Sequence, residues 1–212
     1  MALNPSAGTH PVTADPREIG AANRAGERSL EEYPYYLERY GERARLFGLS
    51  DGAWIVTLCG NPDEAAITSE VTWLAHVLAS RGMPSIMMER HLDFMVEELT
   101  AAVPEKAEQY SRLRIAREVL AERRRALISD EDMTALADAF TAAVHPEVNR
   151  RFPRMGELLV SAAVDEAGGI ARAATSIADW AGSAESLPSG FVTTMQTTLA
   201  AARKKVAAGK PR

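Results

Sequence analysis

The stretch Ala53-Trp54-Ile55-Val56-Thr57-Leu58-Cys59 decides between an all-α fold and one that contains a parallel sheet. It is a short apolar run rich in β-branched residues, bounded by Gly52 and Gly60, as a buried parallel strand would be. Residues 84–88 could form a second strand, with 62–81 as the crossover helix. A stable parallel sheet needs more than two strands, and nothing further along the chain supplies a third. We therefore favour a helix for this stretch.

Helix start and stop signals recur on both sides of the run. Asn61, Pro62 and Glu64 stand where an N-cap, an N1 proline and an acidic N3 residue are expected, and Ser129 opens an approximate capping box. Apolar residues then recur at helical spacing in three groups: Met133, Leu136, Ala137, Phe140 and Val144; Met155, Leu158, Leu159 and Ala162; Phe191, Met195, Leu199, Ala202 and Val206. This periodicity predicts an all-α, multi-helix bundle of about eight or nine helices.

Composition sets the scale of the molecule. The chain has 212 residues, of which 46% are hydrophobic and 25% charged, so it can bury an ordinary globular core. We divide it into a disordered N-terminal tail (1–16), a main helical domain (17–149), a C-terminal helical segment (150–206) and a basic tail (207–212). The C-terminal segment is either a separate unit or the last part of one bundle.

Charge and cysteine content exclude several classes of protein. A net charge of −5 and a pI near 5.5 argue against a nucleic-acid-binding protein. Cys59 is the single cysteine, so intrachain disulfides and cysteine-built zinc sites are ruled out, and a reducing cytoplasm is the expected location. No apolar run reaches the roughly 18 residues of a membrane span, and the first residues do not form a signal peptide. We expect no association with membranes.

His91 is the ionisable residue that helical spacing places among apolar side chains. Met87, Met88, Phe94 and Met95 lie at i−4, i−3, i+3 and i+4 from it, on its own face of a helix. A buried imidazole needs a hydrogen-bond partner or a metal. His91 is therefore the first candidate for a functional site, as a ligand to haem iron or to another metal.

Two other roles for His91 stay open. It can be a structural histidine paired with a nearby carboxylate, that of Glu98, Asp93 or Glu89. It can also act with Glu98 or Asp93 as the acid and base of a small enzyme, although its apolar neighbours disfavour a polar cleft. The chain has no P-loop, no dinucleotide fingerprint, no Gly-x-Ser-x-Gly elbow and no His-Glu-x-x-His motif. An enzyme is therefore the less favoured interpretation.

The predicted helix order over residues 30–146 resembles that of a globin. The helices are expected at 30–47 (with a bend at Pro34), 51–59, 62–81, 84–100, 104–127 and 130–145, with extra helices after them. The resemblance covers about half of the chain and rests on element order. It implies that His91 lies on the helix carrying the proximal haem ligand, in a pocket walled by Met87, Met95, Phe94 and Trp73.

Two functions follow as expectations. The absence of catalytic motifs favours a non-catalytic helical module for regulation or protein interaction, with a protein partner or self-association. Its exposed faces would be rich in arginine (Arg112, Arg114, Arg117, Arg123, Arg124 and Arg125) and in tyrosine (Tyr33, Tyr36 and Tyr40). The alternative is a sensor that binds haem or another tetrapyrrole through His91. A small apolar ligand is compatible with either.

Overall fold

The computed structural model describes residues 12–183, 187–188 and 190–209, and every regular element in these residues is a helix. The all-α prediction is confirmed. The first seven helices are α1 (Pro16–Glu32), α2 (Pro34–Tyr40), α3 (Glu42–Cys59), α4 (Glu64–Ser80), α5 (Ser85–Ala102), α6 (Ala107–Ser111) and α7 (Leu113–Arg125). The remaining five are α8 (Asp130–Ala143), α9 (Pro146–Arg151), α10 (Met155–Ala167), α11 (Ala173–Ser183) and α12 (Phe191–Gly209).

The helices outnumber the prediction because two predicted helices are interrupted and because α9 follows the predicted end at residue 145. The predicted helix 51–59 is not separate but belongs to α3. Residues 30–47 contain the end of α1, all of α2 and the start of α3. Pro34, which lacks an N–H group, opens α2, and Gly41 separates α2 from α3 with a φ of 58°. The predicted helix 104–127 is a 3-10 turn (Pro104–Lys106) followed by α6 and α7. The ambiguous run 53–59 forms the last two turns of α3.

Capping explains where two helices begin. The predicted cap of α4 was two residues early, because Asp63 rather than Asn61 accepts the N–H groups of Ala65 and Ala66, at 3.0 and 3.3 Å. Asn61 instead accepts from the backbone N–H of Asp63 and shapes the preceding turn. The predicted cap of α8 is confirmed, since the Ser129 hydroxyl accepts from the Asp132 N–H at 3.1 Å.

Buried apolar residues form two clusters. The first cluster is built mainly on α1 and on the helices from α3 through α7. It comprises Ala21, Ala22, Ala25, Ile55, Val56, Cys59, Ile67, Val71, Leu74, Ala75, Met88, Leu92, Phe94, Met95, Val96, Leu99, Val103, Tyr110, Leu113, Ala116 and Leu120. The second cluster is built mainly on α8 to α12, and comprises Tyr33, Tyr35, Ile128, Met133, Phe140, Val144, Val148, Phe152, Met155, Leu158, Leu159, Val160, Ala162, Ala163, Val164, Ala174, Ile177, Ala181, Phe191, Met195, Leu199, Ala202 and Val206.

The second cluster is closely packed. A Cβ atom added at Gly156 on α10 would lie 2.5 Å from the carbonyl oxygen of Ala137 on α8, so these two backbones are in contact. Phe152 packs edge-on against Trp180, with ring centroids 5.7 Å apart. The apolar stripes predicted for α10 and α12 are buried here, as their spacing indicated.

Buried polar groups join the two clusters. The Arg124 guanidinium on α7 donates to both carboxylate oxygens of Glu89 on α5, at 3.0 and 3.2 Å, and also to Asp130 on α8. Nearby, the Asp165 carboxylate on α10 accepts from the backbone N–H (2.9 Å) and the hydroxyl of Ser85, the first residue of α5. Arg124 was predicted to lie on an exposed arginine face, yet it is buried.

The structure describes only part of the predicted domains and tails. The second cluster includes Tyr33, Tyr35 and residues from Ile128 to Val206, so it runs across the predicted boundary at residue 149. Separate folding of 150–206 stays a prediction. Residues 1–11 of the first tail and 210–212 of the basic tail lie outside the described residues. In the part of the chain that the structure describes, no helix is both long and apolar enough to cross a bilayer.

Candidate functional site: a cavity beside His91

A cavity of about 90 Å³ lies inside the first half of the bundle, between α1, α3 and α5. Tyr36 from α2, Leu78 from α4 and Met83 from the turn before α5 complete its wall. Its surface is mostly apolar. The remaining lining residues are Asn23, Gly26, Glu27, Ser29, Leu30, Ala44, Arg45, Gly48, Leu49, Asp51, Ile55, Met87, Met88 and His91.

Small and flexible residues create this space. Gly26 and Gly48 lie within α1 and α3, and a Cβ atom at either would meet no atom of the described residues within 4 Å. Met83, Met87 and Met88 contribute thioether side chains, which have several rotatable bonds and adapt to irregular volumes. The cavity can therefore change shape at low cost.

Ser29 holds one ring nitrogen of His91. Nδ1 lies 2.9 Å from the hydroxyl oxygen of Ser29, which also lies 3.0 Å from the carbonyl oxygen of Ala25. The hydroxyl has one hydrogen, so it either donates to Ala25 and accepts from Nδ1–H, or donates to Nδ1. Ser29 orients the ring in either tautomer.

Burial also keeps the imidazole of His91 neutral. The His91 side chain is half-buried, and this burial lowers the pKa of His91 from its ordinary value of 6.5 to about 4. At neutral pH the ring therefore carries no charge and keeps a lone pair on one ring nitrogen. Such a group is a weak base but a good acceptor for a neutral donor.

The carboxylates predicted to pair with His91 bind arginines instead. Glu98 lies 2.8 Å from Arg24 and 3.0 Å from Arg28. Asp93 faces Arg117 at 3.5 Å, and Glu89 is held by Arg124. The predicted His91–carboxylate pair was wrong because the local helix pattern could not show Ser29, which lies 62 residues earlier in the chain.

The residues predicted to wall a haem pocket are dispersed. Met87 lines the cavity together with His91. Phe94 packs under the guanidinium groups of Arg28 and Arg90, 4.1 and 4.6 Å from its ring centroid.

The other two predicted wall residues lie further away. Met95 is fully buried in the first cluster. Trp73 is 56% exposed and pairs edge-on with Trp54, at 6.3 Å between ring centroids. Of the five predicted residues, the structure brings only His91 and Met87 to the cavity.

A wider groove adjoins the cavity on the outside of α3 and α4. This outer groove has a volume of about 440 Å³ and shares Asp51, Leu78 and Met83 with the cavity wall. Phe47, Tyr40, Arg43, Ser50, Trp54, Trp73, Leu74, Val77 and Arg81 line the rest. The cavity and the outer groove therefore share part of one wall.

Neither a metal cluster nor a known relative defines the site further. Among the residues that the structure describes, no group of three or more His, Cys, Asp or Glu side chains could hold a metal ion. Comparison with known proteins gives no match: no family model, curated protein or solved structure is significantly similar to the chain. The predicted globin-like arrangement therefore gains no support beyond the all-α class.

Proposed function

We propose that this chain is a non-catalytic binding module whose ligand is a small, mostly apolar molecule held in the cavity beside His91. The observation that carries the proposal is a mostly apolar space, partly open to solvent, with the imidazole of His91 held by Ser29 on its wall. Ligand sites commonly combine an apolar lining with a few placed polar groups. A histidine with a pKa near 4 is too weak a base to favour acid–base catalysis at neutral pH.

The size of the cavity limits the ligand. An engineered cavity of about 150 Å³ in another protein stays dry and binds benzene. The cavity here, at about 90 Å³, is smaller, but its three methionines can move to enlarge it. The ligand that fits is therefore about the size of a single aromatic ring.

The haem alternative draws less support from the same geometry. Pockets for drug-sized ligands occupy about 300–1,000 Å³, and the cavity is well below that range. Nδ1 of His91 is held by Ser29, as in many metal-bound histidines, so Nε2 could in principle meet an iron. A tetrapyrrole plane beside it would require α1, α3 and α5 to separate.

Methionine methyl groups offer a direct test of the proposal. The chain has eight methionines, and the Met83, Met87 and Met88 side chains line the cavity. In a chain labelled with ¹³C at the methionine methyl groups, added toluene should shift these three signals and leave those of Met133 and Met155, in the second cluster, unchanged. Unchanged spectra, or equal shifts at all eight methyl groups, would contradict the proposal.

A cavity-filling variant supplies the control. Ala44 lines the cavity and is 1% exposed, so Ala44→Leu adds three carbon atoms to the occupied space. We expect this variant to fold and to lose the toluene-induced shifts. Retention of those shifts in Ala44→Leu would mean that toluene binds outside the cavity.

A protein partner is the second candidate, and a specific observation favours it. Trp73 and Leu46 are large apolar side chains with 56% and 48% of their surface exposed, and exposed apolar patches commonly mark interaction surfaces. Sedimentation velocity of the wild type and of Trp73→Ser tests self-association through Trp73. A dimer that is lost in the variant supports it, and a monomer in both removes self-association from consideration.

A further inference from the structure

We infer that the outer groove on α3 and α4 is a second binding site, and that its ligand is a small aromatic carboxylate. The inference is independent of the proposed function, because the groove and the cavity differ in size and in the charge of their walls. At about 440 Å³ the groove falls within the range of about 300–1,000 Å³ that pockets for drug-sized ligands occupy. It can therefore admit two fused rings, for which the cavity of about 90 Å³ is too small.

Aromatic side chains from both helices form the apolar part of the outer groove. Trp54 on α3 and Trp73 on α4 meet edge-on, with 6.3 Å between their ring centroids. Phe47 lies two turns before Trp54 on the same helix and lines the same groove. Trp73 is 56% exposed, so a flat ligand that packs on it would bury apolar surface that the fold leaves in water. These walls favour an aromatic ligand.

Arginines without a carboxylate partner give the groove a surplus of positive charge. Arg43 and Arg81 are exposed and line the groove, and neither forms an ion pair with a carboxylate of the residues that the structure describes. Arg45, two residues after Arg43, is by contrast held by Glu27 at 3.1 Å. Asp51 also lines the groove, so the arginines outnumber it by two to one. Because guanidinium groups bind carboxylates through paired hydrogen bonds, this surplus favours an anionic ligand.

Tyr40 brings these arginines to one end of the groove. Its hydroxyl donates to the backbone carbonyl of Arg81 at 2.6 Å, and Arg43 follows it by three residues in the chain. The guanidinium of Arg39 adds to the positive charge here: it lies 5.1 Å from the centre of the Tyr40 ring and donates to two hydroxyl groups instead of a carboxylate. Arg81 comes eight residues after Trp73, a helical rise of about 12 Å. A two-ring carboxylate and the reach of an arginine side chain together span this distance.

Three naphthalene compounds, substituted at the same ring position, test the inference. Near about pH 7.5 naphthoate is an anion, naphthamide is neutral and naphthylmethylamine is a cation. Isothermal titration calorimetry measures their affinities, and the indole N–H signals of the three tryptophans report where they bind. We expect naphthoate to bind about tenfold more tightly than naphthamide, and the amine to bind most weakly. The signals of Trp54 and Trp73 should shift, and that of Trp180, packed on the second cluster, should not.

Variants separate pairing with the groove arginines from the overall charge of the protein. Arg43→Gln and Arg81→Gln should each lower the naphthoate affinity about fivefold and leave the naphthamide affinity unchanged. Arg114→Gln, at an exposed arginine on α7, removes the same charge and should change neither affinity. Trp73→Ser should weaken both compounds about tenfold. Ala44→Leu, which fills the cavity, should weaken neither.

Each outcome bears on the inference. A preference for naphthoate that falls in both groove-arginine variants, and not in Arg114→Gln, supports it. Equal binding of naphthoate and naphthamide by the wild type overturns it, and so does a naphthoate affinity that falls in Ala44→Leu. If no compound binds and the wild type is a dimer that Trp73→Ser abolishes, a second copy of the chain occupies the groove and the inference fails. The toluene experiment tests the proposed function separately in every case.

Discussion

The two clusters of this bundle are built from similar residues but differ in how completely they are filled. In the second cluster a single added carbon at Gly156 would collide with the backbone of α8. On the cavity side, a carbon at Gly48 would meet no atom of the described residues within 4 Å. Protein interiors are normally packed as densely as organic crystals, and the contact at Gly156 agrees with that rule. The open space beside His91 does not, and ligand binding is the explanation that we propose for it.

Buried polar groups differ in the same way. Asp165, on the second-cluster side, has its carboxylate satisfied by Ser85 within the protein. His91 has Nδ1 at 2.9 Å from the hydroxyl of Ser29, and its ring lies on the wall of the cavity. Asp165 is therefore enclosed by the fold, whereas His91 borders open space.

The largest effect is expected at the ion pair between the clusters. Arg124→Met leaves the carboxylate of Glu89 buried without its partner and should lower the free energy of unfolding by about 3–5 kcal/mol. Urea denaturation measures this. Arg114→Met, at an exposed arginine on the same helix, should change it by less than about 0.5 kcal/mol. Similar costs for the two variants would mean that the clusters are not joined through Arg124.

Next in size are two opposed responses to pH. Because the pKa of His91 falls to about 4 on folding, the unfolded chain takes up a proton first as the pH drops from 6.5. His91 therefore destabilises the fold progressively between pH 6.5 and 4, by on the order of 2–3 kcal/mol. His91→Leu should remove this loss.

The contribution of Asp165 to stability changes with pH in the opposite direction. Burial raises the pKa of Asp165 from 3.8 to about 6, so the folded state holds its proton longer as the pH rises. Its contribution is greatest below about pH 4 and is lost as the pH rises through 6. As the pH rises from 4 to 6, Asp165→Asn should become more stable relative to wild type. As the pH falls from 6.5 to 4, His91→Leu should become more stable relative to wild type. Parallel profiles for the two variants would contradict the assigned environments.

A pair of glycine substitutions probes packing directly. Gly156→Ala should cost about 1–3 kcal/mol, because the new methyl group overlaps Ala137. Gly48→Ala, within α3, should instead stabilise the protein by about 0.5–1 kcal/mol, since alanine is the better helix former and the space is open. Thermal unfolding of both variants checks the difference in sign. A cost at both positions would mean that the cavity is filled in solution.

The smallest effect is expected at Trp73. Its side chain is 56% exposed on the outer groove, away from His91, so Trp73→Ser should change stability by about 0.5 kcal/mol or less and leave toluene affinity unchanged. A tenfold loss of toluene binding would mean that Trp73 is part of the wall of the site, as the resemblance to globins implied.

Helical periodicity was sufficient to predict the fold class and much of the core. The residues of α10 and α12 are buried where their spacing indicated, and Ser129 caps α8 as expected. Helix boundaries were harder to predict, because Pro34 and Gly41 interrupt residues 30–47, which have the apolar pattern of one helix. The tyrosine face was also misassigned. Tyr33 and Tyr35 are the buried pair, since α2 begins after Tyr33 and changes the direction of the chain.

Only part of the site could be predicted from the sequence. His91 and Met87 were found because one helix places them together. Ser29, Gly48 and Met83 belong to other elements, and their meeting depends on tertiary packing that no local pattern encodes. Glycines within α1 and α3 were the one available signal, because a glycine inside a helix is costly unless the space beside it is used.

Long-range ¹H–¹⁵N correlation of the histidine rings tests most directly the central claim, which is that His91 is a neutral ring beside a ligand-binding cavity. The account predicts that between about pH 5 and 8 one histidine stays neutral and that added toluene shifts its ring signals. His91→Leu should abolish this pattern. A His91 ring that titrates near its ordinary pKa of 6.5, or that does not respond to toluene, would contradict the account.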